Sequence, residues 1–131
     1  MNTSRLALTA SVALIAVALS GCSAGACSSG ASSAVEAAHG LVEASLTADD
    51  PQDICRFTSD YVDYDQSDVE ALAQRFADHD PEKLTYKVVD QMGSDATVGI
   101  STENGTLIGS FDLTSNQDGQ WTIYFGPDFP R

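Results

Sequence analysis

Two histidines, three cysteines and nineteen carboxylates are the groups in this 131-residue chain that could carry a reaction or hold a ligand. The densest acid cluster is Asp60, Asp63, Asp65, Asp68 and Glu70. A calcium loop needs oxygen ligands at alternate positions, a glycine at its tight bend and a bidentate glutamate at its end. Counted from Asp63, Asp68 stands where the glycine belongs and Gln74 where the glutamate belongs, so the cluster reads as helix capping and solvated surface. His39 and His79 are too few for a three-histidine zinc site in one chain, and no short-spaced His-Glu or Cys-Cys ligand motif is evident. No metal and no cofactor are expected on that basis. A nucleophilic serine would need an activating base and an exposed turn, and the chain has no Gly-x-Ser-x-Gly elbow. Cys55, between Ile54 and Arg56, reads as an inert packed thiol or one half of a disulfide. Spacing alone therefore assigns no catalytic residue.

The elements that would position these groups are marked by caps and periodicity. Three helix starts place an oxygen side chain before an apolar run: Ser33-Ala34-Val35-Glu36, Asp50-Pro51-Gln52-Asp53 and Ser67-Asp68-Val69-Glu70. Behind them apolar residues recur at helical spacing: Val35, Ala38, Val42 and Leu46; Ile54, Phe57 and Tyr61; Val69, Leu72, Ala73 and Phe76. The second half changes to period two, with Leu84, Tyr86 and Val88; Ala96, Val98 and Ile100; Leu107, Phe111 and Leu113; Trp121, Ile123 and Phe125. Val89 and Ile108 are the hydrophobes this alternation leaves on the polar face. Gly93-Ser94-Asp95, Asn104-Gly105 and Asp118-Gly119 separate the strands as hairpin turns. The turn also accounts for Asn104-Gly105-Thr106, which otherwise fits a glycosylation acceptor. An antiparallel sheet with one apolar face needs a cover. The expected fold is α+β, three N-terminal helices packed on one face of a four-stranded antiparallel meander, with Asp128-Phe129-Pro130-Arg131 as a short tail.

Upstream of the first helix the chain changes character. Arg5 is followed by a continuously apolar or small run from Leu6 to Leu19, the pattern of a secretory signal and too short to remain as a spanning helix. Leu19-Ser20-Gly21-Cys22 resembles the processing site of bacterial lipoproteins at every position. Ala24-Gly25-Ala26-Cys27 is a weaker second candidate without the leucine, and a plain cleavage near Ala24 or Ala26 would release the protein instead. The resemblance implies that Cys22 takes a diacylglyceryl group on sulfur and becomes the mature N-terminus, anchored outside the cytoplasm to the bacterial cell membrane. Residues 1–21 are then the signal, 22–32 the lipidated cysteine and a flexible Ser/Ala/Gly tether, and 33–131 a single folded domain. Removing 21 of the 131 residues leaves 110, with five Lys or Arg against nineteen acids, a formal charge of −14. Such a field disfavours nucleic acid and suits solubility, cations or basic partners. Once Cys22 is lipidated, Cys27 and Cys55 remain, and an oxidising compartment favours pairing them. Whether they pair stays open, because the segment at Cys27 must fold back along helix one for roughly 20 Å at about 3.3 Å per residue.

Helices followed by four antiparallel strands, ending in Asp118-Gly119-Gln120-Trp121-Thr122-Ile123-Tyr124, are similar to the cystatin-like or nuclear-transport-factor-2-like superfamily and its small lipoprotein members. That resemblance implies a curved sheet forming a cone. A non-enzymatic member would bind a small apolar ligand or an envelope protein in or beside the cone, and Phe57, Tyr61, Phe76, Tyr86 and Trp121 are the candidate lining residues. The alternative is an isomerase- or dehydratase-like enzyme with a carboxylate base and an oxyanion-stabilising tyrosine, drawn from Asp90, Asp112, Tyr61, Tyr86 and Tyr124.

Overall fold

Where this chain is helical is decided by backbone hydrogen bonds as much as by apolar spacing. The computed structural model describes residues 27–60 and 62–124. Helix α1 spans Ala34–Thr47 and is capped by the Ser33 side chain, which accepts from the Glu36 amide at 3.1 Å. Its buried face is Ala34, Ala37, Ala38, Leu41, Val42 and Ser45, a stripe one position round from the expected one. Small side chains along that stripe let the helix lie close against its neighbours.

The second of the three expected helices is absent, and the described residues form two α-helices. Asp50 caps a 3₁₀ turn at Pro51–Asp53 through a reciprocal box with Asp53, and a second 3₁₀ turn follows at Cys55–Phe57. In an α-helix the Cys55 and Arg56 carbonyls would accept from amides four residues on. Here they accept from Ser28 N at 2.6 Å and Gly30 N at 2.8 Å, while Ser59 N donates to Ile123 O at 2.8 Å. Tertiary backbone pairing has taken the groups a helix requires. Ile54, Phe57 and Tyr61 are helically spaced, but only the first is a fully buried core residue among the two described.

Helix α2 is Gln66–Phe76, burying Val69, Leu72 and Phe76. Its cap is Asp65 and not Ser67: Asp65 accepts from Asp68 N at 3.1 Å, and the Asp68 carboxylate accepts from Asp65 N at 2.9 Å. A 3₁₀ turn at Pro81–Lys83, capped by Asp80, leads to the sheet. Strands β1 (Thr85–Met92), β2 (Asp95–Ser101), β3 (Leu107–Ser115) and β4 (Trp121–Tyr124) pair antiparallel in that order. Gly93, at φ +60°, supplies the left-handed backbone for the two-residue turn between Met92 and Asp95.

Two bulges alter which side chains face the core. Between β1 and β2 the register jumps from Val88↔Val98 to Asp90↔Thr97, leaving Val89 extra and turning Asp90 toward the outer face beside Thr97. Between β2 and β3 it jumps from Ile100↔Gly109 to Ser101↔Leu107, leaving Ile108 extra. Leu107, expected inside, is 64% exposed, and Ile108, expected outside, packs against the core. Arg75, in the last turn of α2, fixes this second bulge by donating to the Ile108 carbonyl at 2.5 Å.

The inner face of the sheet, carrying Val98, Ile100, Phe111, Leu113 and Ile123, meets Leu41, Val42, Ile54, Val69, Leu72 and Phe76, all at most 1% exposed. The β4 edge is closed by two short segments: Ala31 bridges Trp121 and Thr58 bridges Ile123. A disulfide between Cys27 and Cys55 joins the bases of those segments, with Cα atoms 4.6 Å apart. Residues 28–31, expected within a flexible tether, are thus tied down: Ser28 and Gly30 donate to the Cys55 and Arg56 carbonyls, and Ala31 pairs with Trp121 at the sheet edge. Gly30 allows this approach: its φ is +71°, and a Cβ there would lie 2.4 Å from the Trp121 carbonyl oxygen.

Candidate functional site

Of the five aromatic residues expected to line a cone, the four described do not converge. Phe76 sits in the core, edge-to-face with Phe111 at a centroid distance of 6.1 Å. Trp121 lies half-buried on β4, opposite Ser115 and against Ala31. Phe57 packs over Gly40 of α1, with the Arg56 guanidinium 5.2 Å from its ring centroid. Tyr86 faces the other end of the sheet, its hydroxyl donating to Pro81 O at 3.2 Å and its ring 4.9 Å from that of His39. Tyr61 and the lipidation candidate Cys22 lie outside the described residues. Where a cone would hold its ligand, Phe76, Phe111, Leu72 and Ile100 meet in packed contact.

The groups named for the enzyme alternative are distributed differently. Asp90, Asp112 and Tyr124 line an open groove of about 260 Å³ on the outer face of the sheet, with Asp95 and Thr97. Thr97 donates to Asp112 Oδ1 at 2.7 Å. Burial pushes the Tyr124 hydroxyl above its ordinary pKa, and the charges of Asp95 and Asp112 push it the same way. The phenol therefore stays a neutral donor. A base of this class works from an apolar, water-excluding cavity; this groove is acidic and open, and Asp90 was carried to it by the β1 bulge.

Beside the disulfide a second hollow, of about 440 Å³, is lined by Ser28, Asp50, Gln52, Asp60, Asp63 and Tyr64, among others. Ser28 Oγ lies 2.6 Å from both the Thr58 carbonyl and Asp60 Oδ1, and Tyr64 donates to Ile123 O at 2.8 Å. Three members of the acid cluster thus have structural work: Asp60 on Ser28, and Asp65 with Asp68 in the α2 capping box.

Two features escaped the sequence reading. The first is Leu107, which joins Val89, expected on this face, as an exposed apolar pair flanking Gly99; a Cβ at Gly99 would lie 3.1 Å from Val89 and 3.4 Å from Leu107. Only the bulge at Ile108 brings Leu107 there. The second is at Tyr86, whose hydroxyl is pushed well above its usual pKa by burial first and then by the charges of Glu43, Glu82 and Asp80. Two of those carboxylates also stand beside His39, whose Nε2 lies 3.1 Å from Glu82 and 3.6 Å from Glu43. The expectation that the chain has no short-spaced His-Glu pair is corrected here: His39 and Glu43 stand four residues apart on one helix, which makes them neighbours.

Comparison with protein-family models, with curated proteins and with solved structures finds no match to this chain.

Proposed function

We propose that this chain is an extracytoplasmic lipoprotein, held at the bacterial cell membrane by a diacylglyceryl group on Cys22, whose domain acts by binding at its surface. The observation carrying the second half is the packed inner face: Phe76, Phe111, Leu72 and Ile100 occupy the volume in which a cone-type protein would hold a small molecule, each at most 1% exposed. Binding therefore falls to the exterior, where Val89 and Leu107 offer an apolar contact at 60% and 64% exposure, and an envelope protein is the partner such a sheet face suits. The Cys27–Cys55 disulfide supports the address, since such bonds persist in oxidising compartments. Among the described residues no helix is long and apolar enough to cross a membrane. Two acyl chains hold stably where one does not.

The test is metabolic labelling with radioactive palmitate in the native envelope, joined to photo-crosslinking from positions 89 and 107. Label entering the wild type and lost with membrane retention in Cys22→Ser is the expected result. Crosslinks to one protein from both positions, and none from Glu70 on α2, are expected for the surface. An unlabelled chain, with retention unaffected by Cys22→Ser, ends the lipoprotein reading; silence at both positions ends the binding one.

A further inference from the structure

We infer that His39, Glu43 and Glu82 form a binding site for one first-row divalent metal ion of the zinc type, independent of the lipid anchor and of the outer sheet face. Their candidate ligand atoms, one imidazole nitrogen and two carboxylate oxygens, all lie within 4.8 Å of one another. His39 Nε2 is 3.1 Å from Glu82 Oε1 and 3.6 Å from Glu43 Oε1. Ligands bound at about 2.0–2.2 Å to a tetrahedral or octahedral ion stand roughly 3.0–3.5 Å apart, close to the two imidazole–carboxylate separations here.

The orientation of His39 is the second observation. Nε2 is inaccessible to solvent and has no hydrogen-bond partner, although an oxygen stands 3.1 Å away. A carboxylate placed to accept from an imidazole lies along the ring N–H direction. Neither oxygen meets the geometry of a ring N–H hydrogen bond, so the imidazole nitrogen stands beside two carboxylates without donating to either. The other parts of the site are held from behind. The Tyr86 ring rests against the imidazole, and Tyr86 donates to Pro81 O, the residue before Glu82. Asp80 Oδ1 accepts from the Glu82 amide at 3.0 Å, fixing the turn that carries the third ligand.

The donor set selects the ion. Calcium and magnesium prefer all-oxygen ligands, whereas an imidazole with two carboxylates suits zinc, nickel, cobalt and copper. Glu43 and Glu82 are 53% and 68% exposed, which leaves coordination positions for water. The net charge of −13 for the full chain raises the local concentration of any cation.

The experiment uses the full-length protein purified in neutral detergent without a polyhistidine tag, stripped with chelator and titrated with ZnCl₂ against a chromophoric competitor. One zinc per chain is expected, with affinity at least tenfold weaker in His39→Ala and in Glu82→Gln and unchanged in His79→Ala. Cobalt should give visible absorption bands that His39→Gln abolishes, a readout of imidazole ligation that a folding defect does not mimic when circular dichroism is unchanged. Absence of stoichiometric zinc binding, or equal affinity in His39→Ala, overturns the site. Calcium displacing zinc at equal concentration overturns the assignment of the metal.

Discussion

At the scale of single residues, Asp65 shows how a local contest is settled. Two overlapping boxes compete to start α2, Ser67-x-x-Glu70 and Asp65-x-x-Asp68, and composition favours neither. The second wins because both arms close, and Ser67, freed from capping, donates to Asp65 Oδ1 at 2.5 Å. The hydrogen bond from Ser67 and the amide of Asp68 hold the Asp65 carboxyl below its ordinary value of 3.8. A group depressed in the folded state stabilises fully above its unfolded pKa and loses that contribution as pH falls through the folded value. Asp65→Ala should therefore lower the urea midpoint at pH 7, with the gap to wild type narrowing steadily below about pH 4. A gap of constant size from pH 7 to pH 2.5 would show that Asp65 caps without its charge. The acid cluster was legible as a capping region from its spacing; which acid caps was not, because the deciding bonds depend on where the backbone turns.

Elements were legible where their signals are local. Period-two alternation and turn glycines located all four strands, and cap plus apolar stripe located α1 and α2. The missing helix at residues 51–57 and the reversed facing of Leu107 and Ile108 share a different cause: their carbonyls are claimed by groups distant in sequence, Ser28 and Gly30 in one case and Arg75 in the other. Whether a buried face meets a cavity or another side chain is likewise not local, since apolar periodicity marks the face without saying what it meets. The β4 edge offers a measurement of this nonlocal organisation. Cys27–Cys55 closes a sequence separation of 28, and removing it with Cys27→Ala/Cys55→Ala should cost about 3–4 kcal/mol. The loss should be uneven. Hydrogen exchange at the Trp121 and Ser59 amides, bonded to Ala31 and to Ile123, should accelerate more than at the β2–β3 ladder. Uniform acceleration would place the disulfide's effect on the unfolded chain alone.

The whole molecule is governed by its charge. Among the described residues the few cations do little to offset the acids: Arg75 is spent on the Ile108 carbonyl and Arg56 lies over Phe57. A compact body of one sign is strained by its own field, and monovalent salt relieves that strain as the Debye length falls from about 30 Å at 0.01 M to about 8 Å at 0.15 M. Raising NaCl across that range should raise the Tm, and a gain of about 1 kcal/mol corresponds to roughly 4–8 °C for a domain of this size. The melt is run with chelator present, so that divalent ions at His39, Glu43 and Glu82 contribute nothing and the field alone is read. A series repeated with NaCl and with KCl should superimpose, because screening depends on ionic strength and not on the identity of the ion. A Tm that separates between the two salts would mean that specific cation binding, not screening, sets the change; one that stays flat would mean that the carboxylates are well enough hydrated and spaced for their mutual repulsion to be negligible, and that the acidic surface serves solubility without a cost in stability.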